Sequence, residues 1–208
     1  MLFRSLARIA TFVSDRVRDQ LKDRKSASEL AIHLASQRRQ FDSCVVFFCS
    51  SAGEYEQAKP LIKRIAKDPT VLCYVIFFSV SGAVFAKARN EKINWILAPS
   101  DDVFEWGTIF AALRPSIVYI VRHELWPAFL WTASQWSKIV TINAVVPSLL
   151  GRQAEWKESL NLFTKAWLLR FVDFVCVVSQ TDKDFFNRHL GLSEEKVFIT
   201  RSEEHTSE

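Results

Sequence analysis

From about residue 41 onward, short runs of consecutive apolar residues alternate with stretches whose apolar positions recur every three or four residues. Cys44-Val-Val-Phe-Phe-Cys49 has the length of a strand. A small-residue turn follows, Ser50-Ser-Ala-Gly53, and then helical spacing from Glu54 to about Lys67. The same alternation predicts strands at Val71–Phe78, Ile93–Ala98, Ile117–Val121, Ile139–Asn143, Val172–Val178 and Val197–Thr200. Between them it predicts helices at Gly82–Asn90, Asp102–Leu113, Leu125–Trp136, Gln153–Arg170 and Asp182–His189. Strands that read as continuous apolar runs are buried on both faces, and their alternation with helices implies parallel pairing through right-handed crossovers. The expected fold is α/β, a doubly wound, Rossmann-like parallel sheet over residues 41–200.

Residues 1–40 read differently. Leu2, Leu6, Ile9, Val13, Val17 and Leu21 mark one face of a helix ending near Arg24, and a shorter helix is predicted over 28–38. Arg4, Arg8, Arg16, Arg18 and Lys22 fall mostly off the apolar stripe, so the first helix suits either a lipid headgroup layer or packing on its own domain. Arg4 and Arg8 interrupt the apolar stretch, which excludes a signal peptide. Nowhere do about 18 uncharged apolar residues run together, so no membrane span is expected.

Composition narrows the chemistry. Only 5 of 208 residues are glycine, and none are spaced as G-x-G-x-x-G or a Walker loop, which excludes phosphate-cradling glycine loops. The net charge of +4 is too small to argue for nucleic acid. Cys44, Cys49, Cys73 and Cys176 form no C-x-x-C pair, and no metal or other cofactor is expected. Cys44, Cys73 and Cys176 lie in apolar runs where a thiol serves as a small core residue, consistent with a reducing compartment.

Ligands of such a sheet gather at the carboxyl ends of the strands. Glu54 opens a helix directly after a buried strand, where free N–H groups favour an ionised carboxylate; it is either a general base or an ordinary first-turn acid. Glu124, in His123-Glu-Leu-Trp-Pro127, faces the same rim, either as a substrate ligand or as a helix cap or partner of Arg122. His123 reads as a turn residue. Gly53 and Gly82 occupy equivalent turns, where close approach to a helix or ligand or simply tight turning accounts for them. All seven tryptophans fall between Trp95 and Trp167. Trp126, Trp131, Trp136 and Trp156 suit a surface meeting lipid or sugar, or for some of them core packing, and Arg152, Lys157, Lys165 and Arg170 bring to that half either charge suited to phosphate or anionic lipid or simply a solvated helix face.

Ser51-Ala-Gly-Glu54 with Ala58-Lys-Pro-Leu-Ile62, Ser79-Val-Ser-Gly82, Arg114-Pro115, Glu124-Leu-Trp-Pro127, Asn143-Ala144 and Val178-Ser-Gln180 follow in an order that resembles a known family. It is the N-terminal half of the Kdo (3-deoxy-D-manno-octulosonic acid) transferases of lipopolysaccharide synthesis, and the likeness covers about residues 43–200. The resemblance implies a two-domain GT-B glycosyltransferase that transfers Kdo with inversion from CMP-Kdo to a lipid A precursor, peripheral at the cytoplasmic face of the bacterial inner membrane. Glu54 then carries the general base, and Ser51, Gly53, Ser79, Ser81, Gly82, Glu124 and Asn143 line the substrate rim. Arg122 stands where the family usually has an acid, and Val145-Val-Pro147 where it usually continues with Arg. Arg201-Ser-Glu-Glu-His-Thr-Ser-Glu208 resembles a translated sequencing adapter and is expected to lie outside the fold. The donor is expected to bind mostly to a second, C-terminal domain, so this chain alone is expected to be inactive. Two other readings stay open, a GT-B enzyme with a different acceptor and a non-catalytic membrane-surface binding module.

Overall fold

A computed structural model of the chain describes residues 26–88, 93–122, 124–146 and 155–200; at 87–88 and 155–161 it describes the backbone alone. The expected helix over residues 2–24, His123, Arg152, the side chains of Trp156 and Lys157, and the tail from 201 lie outside the described residues.

The elements run in the order α1 (Ala27–Arg38), β1 (Ser43–Cys49), α2 (Ala52–Ile65), β2 (Val71–Phe77), α3 (Val80–Ala88), β3 (Asn94–Leu97), α4 (Val103–Leu113), β4 (Ile117–Val121) and α5 (Pro127–Ser134). β5 (Lys138–Ala144), α6 (Glu155–Leu168), a 3-10 turn (Leu169–Phe171), β6 (Phe174–Val177), α7 (Gln180–Leu190), a second 3-10 turn (Glu194–Lys196) and β7 (Val197–Ile199) complete it. The seven strands form one sheet in the order β3-β2-β1-β4-β5-β6-β7, every pair parallel. This is the doubly wound, Rossmann-like arrangement. Its switch point lies between β1 and β4, where the connections leave in opposite directions along the sheet, the place at which sheets of this kind hold their ligands.

Alternate side chains of β1 feed two cores. Val46 and Phe48 pack with Trp106, Phe110 and Phe129 on the side of α1, α4, α5 and α7, while Val45, Phe47 and Cys49 pack with Tyr55, Ala58 and Ala83 on the side of α2 and α3. The ring of Phe48 lies 4.5 Å from that of Phe129, so strand β1 and helix α5 share one aromatic cluster. Burial on both faces holds for β1 and most of β2 but not for β6 and β7. There Val175 and Val197 are fully buried, whereas Phe174 and Phe198, on the opposite face, remain nearly half exposed.

Two predicted boundaries shift for local reasons. Leu125–Trp136 shortens to Pro127–Ser134, because Trp126 precedes proline and takes an extended backbone, φ −89° and ψ 122°. Val172–Val178 shortens to Phe174–Val177, because the Asp173 carboxylate accepts from the Ile139 N–H at 2.9 Å and from Lys138 Nζ at 2.8 Å, which pins the approach to β6. All four cysteines are free thiols. Cys44 and Cys49 are the fully buried ones, while Cys73 and Cys176 are only partly buried, a correction to the expected core set. Burial pushes the Cys44 and Cys73 thiols up to about 12, which makes them poor nucleophiles.

Candidate active site

The chain turns from β1 into α2 through Ser50 and Ser51. Ser51 is the helix N-cap, and its Oγ accepts from the Glu54 N–H at 3.3 Å. Glu54 therefore sits in the first turn with its side chain reaching back, and Oε2 accepts the Ser50 N–H at 2.5 Å. The residue is only 9% exposed. Desolvation is the largest influence and raises its pKa; hydrogen bonds from Ser50 pull it down, the Glu124 charge raises it again and the Arg122 charge lowers it. A carboxyl raised in this way is a better proton acceptor than an ordinary surface glutamate.

The turn after β2 is zipped to this one, since Phe78 N–H donates to Cys49 O at 3.0 Å and Ser79 N–H to Ser50 O at 3.1 Å. Ser79 Oγ accepts from the Gly82 N–H at 3.2 Å and lies 3.0 Å from Ser81 Oγ, which orders the start of α3. Gly82 has a steric role: a Cβ there would lie 2.8 Å from the Phe77 ring. Gly53 does not, because a Cβ there would meet nothing within 4 Å. The surface over the first turn of α2 is open.

Across the switch point, the turn after β4 presents Arg122 and Glu124. Arg122 has a left-handed backbone, φ 63°, and is exposed, and its Nε donates to Gln57 Oε1 of α2 at 3.1 Å. The Glu124 carboxylate neither caps α5 nor pairs with Arg122. It accepts from Trp126 Nε1 at 2.6 Å, and the Trp126 ring lies 4.5 Å from Phe78. Trp126, half-buried, thus braces the rim. Asn143, φ 53°, falls where the β5–β6 register shifts, a bulge one strand further along the same rim.

Ser51, Gly53, Glu54, Ser79, Ser81 and Gly82 therefore form one continuous edge, with Glu124 within electrostatic reach of Glu54 and Asn143 more distant. Sequence reasoning missed Asp101. Its carboxylate accepts the N–H groups of Ala128 at 3.2 Å and Phe129 at 3.0 Å, capping α5 from 27 and 28 residues away and fixing the turn that carries Glu124. The available signal was a helix whose N-cap position is a tryptophan with no capping side chain. Gln57 was also missed; as an ordinary polar residue beside the site it carried no signal. Among the described residues no group of three or more His, Cys, Asp or Glu side chains is placed to hold a metal ion.

Comparison with known proteins adds three findings. The family described as 3-deoxy-D-manno-octulosonic-acid transferase (kdotransferase) matches residues 19–203. A bifunctional glycosyltransferase/methyltransferase of Fusobacterium nucleatum subsp. nucleatum is 24% identical over 194 residues, covering 91% of this chain and 27% of that protein. The chain thus spans about a quarter of that relative's length. A UDP-GlcNAc 2-epimerase from Neisseria meningitidis, solved bound to UDP-GlcNAc, superposes with a TM-score of 0.53 at 16% identity over 76% of this chain and 47% of that one. At that identity the likeness speaks for the fold alone.

Proposed function

The chain belongs to the 3-deoxy-D-manno-octulosonic-acid transferase (kdotransferase) family, and from that membership we propose that it is the acceptor-binding, N-terminal domain of an inverting GT-B enzyme that moves Kdo from CMP-Kdo to a lipid A precursor. That it is a glycosyltransferase domain follows from the family and from the homologous glycosyltransferase. The finer reading rests on one observation: a nearly buried glutamate with a raised pKa, held at a helix start on the switch-point rim beneath an open surface.

In this reading Glu54 takes the proton from the acceptor hydroxyl while that oxygen attacks the anomeric carbon of Kdo. The new carbon–oxygen bond forms as the bond to the CMP phosphate breaks, CMP leaves with the electron pair, and a single displacement inverts the centre. Arg122 offsets part of the Glu124 charge felt by Glu54, which keeps the base available in its ionised form. Glu124, steadied by Trp126, offers a carboxylate to acceptor hydroxyls. The donor binds chiefly to a second domain, so the 208-residue chain alone releases no CMP. The enzyme works peripherally at the cytoplasmic face of the inner membrane; no described helix is long and apolar enough to cross one.

The test is CMP release by the full-length protein given CMP-Kdo and lipid A precursor. Glu54→Gln is expected to slow release by ~10²–10⁴-fold, the range typical of a lost general base; near-normal release removes Glu54 from the mechanism. One observation favours a second reading, a different acceptor: the exposed guanidinium of Arg122, held by Gln57, stands beside Glu124 on that rim. Comparing lipid A precursor with other glycolipids as acceptors separates the two.

A further inference from the structure

We propose that the flank formed by α5, the end of α6 and the 3-10 turn at Leu169–Phe171 is a docking surface for an anionic lipid bilayer. The inference deepens the proposed function and rests on its lipid-linked acceptor. The observations come from a different part of the molecule, the end of the sheet opposite Glu54.

Phe163 and Trp167 stand one turn apart on α6 and are 71% and 43% exposed. Trp167 meets Phe171 edge-on at 5.5 Å, and Phe171 lines an open cleft of about 480 Å³ together with Trp136, which is itself 43% exposed. Trp131, 46% exposed, lies one helical turn before Ser134, which lines the same cleft. Large apolar side chains left half in water along a continuous path suit the boundary between water and lipid, where indole rings bury a flat apolar body and keep a polar edge wet.

The charge around the cleft is lopsided. Lys138 and Arg170 line it, and Lys196 Nζ reaches Leu169 O at 3.4 Å beside it. The carboxylate there, Asp173, takes Lys138 Nζ at 2.8 Å. Arg170 has no hydrogen-bond or ion-pair partner among the described residues and is exposed. An excess of cations beside interfacial aromatics fits phosphate-bearing headgroups better than a neutral surface. Helix α5 links this flank to the rim. It begins at Pro127, directly after the Glu124 turn, and reaches Trp131 four residues later, a rise of about 6 Å.

The experiment is sedimentation of the 208-residue chain with phosphatidylglycerol-containing vesicles and with pure phosphatidylcholine vesicles. Wild type is expected to bind the anionic vesicles selectively. Arg170→Glu is expected to weaken that binding roughly tenfold or more, and Trp136→Ser with Trp167→Ser about fivefold or more. Phe104→Ser, a change at an 81% exposed phenylalanine in the first turn of α4 that lines neither the cleft nor the aromatic path, is expected to change nothing. Because Arg170 is exposed, Arg170→Glu reports even if the double tryptophan variant folds poorly. The proposal is overturned if wild type ignores anionic vesicles, if it binds phosphatidylcholine equally well, or if Arg170→Glu binds like wild type, which would place the contact elsewhere, such as in the basic N-terminal segment. Vesicle binding requires no transfer, so binding without CMP release refutes the proposed reaction alone, and transfer without this binding refutes only the docking surface.

Discussion

Two strand-to-helix turns in this sheet are built on the same plan and have different capacities. Ser51-Ala-Gly-Glu54 opens α2 and Ser179-Gln-Thr-Asp182 opens α7; in each a serine caps the helix and an acid three residues later reaches back, and both acids are 9% exposed. The Asp182 carboxylate ties two separate segments of the chain together: one oxygen takes the Val146 N–H at 2.7 Å and the other the Ser179 hydroxyl at 2.5 Å. Among the described residues the Glu54 carboxylate is held by the backbone and side chain of Ser50, and it feels the Glu124 and Arg122 charges across the switch point. Burial and capping therefore do not by themselves mark an acid as reactive. What differs is the reach of the bonds, long-range for Asp182 and local for Glu54, together with the charged neighbours of Glu54 and the open surface over its helix turn.

The comparison is broken most sharply by removing each acid's charge in turn. In the full-length protein, Glu54→Gln is expected to lower transfer by ~10²–10⁴-fold with little loss of stability. Asp182→Ala is expected to do the reverse: about 1–3 kcal/mol of stability lost, read by denaturant unfolding, because the Val146 N–H loses its buried partner, with kcat retained in the folded fraction. Equal losses of transfer in both would erase the distinction.

The glycines sharpen it next. Gly82→Ala presses a methyl group against Phe77 and is expected to cost about 1–3 kcal/mol. Gly53→Ala meets open space inside a helix and is expected to add up to about 1 kcal/mol to stability, while raising KM for the acceptor. Unchanged acceptor KM in Gly53→Ala would mean that substrate does not approach the first turn of α2. Asp101→Ala removes the remote cap of α5 and is expected to cost about 1–2 kcal/mol, with a lowered kcat because the Glu124 turn loosens.

The smallest effect concerns pH. The pKa of Glu54 is raised in the fold, so the folded protein holds that proton more tightly than the unfolded chain does. The charge is harmless at pH below the ordinary carboxylate range and costs stability as pH rises from there through the folded value. Glu54→Gln is therefore expected to melt slightly higher than wild type at neutral pH, with the difference vanishing in acid. A lower melting temperature at neutral pH would show that the Ser50 hydrogen bonds outweigh desolvation.

The sheet was legible because each central strand is an uninterrupted apolar run, as in Cys44–Cys49, and the serine turns gave away the start of α2. Glu54 was legible as a first-turn acid after such a strand. The interactions that fix Glu124 were not, since they join residues remote in sequence: Asp101 reaches α5, Phe78 stacks on Trp126 and Gln57 holds Arg122. Asp182 carried a local signal in its spacing from Ser179, but its grip on Val146 is long-range. The exposed face at Phe174 and Phe198 was hidden for a related reason: an apolar run reads the same whether or not a helix covers its second face.

The central claim is that Glu54 is the group that must be ionised for transfer. The most direct measurement is the pH dependence of kcat/KM in the full-length protein, with CMP-Kdo and lipid A precursor, before and after Glu54→Gln. The rate is expected to fall on acidification with an apparent pKa above the ordinary glutamate range, and that acid limb is expected to disappear in Glu54→Gln along with most of the activity. The same acid limb persisting in Glu54→Gln would contradict the account and assign the proton transfer to another group.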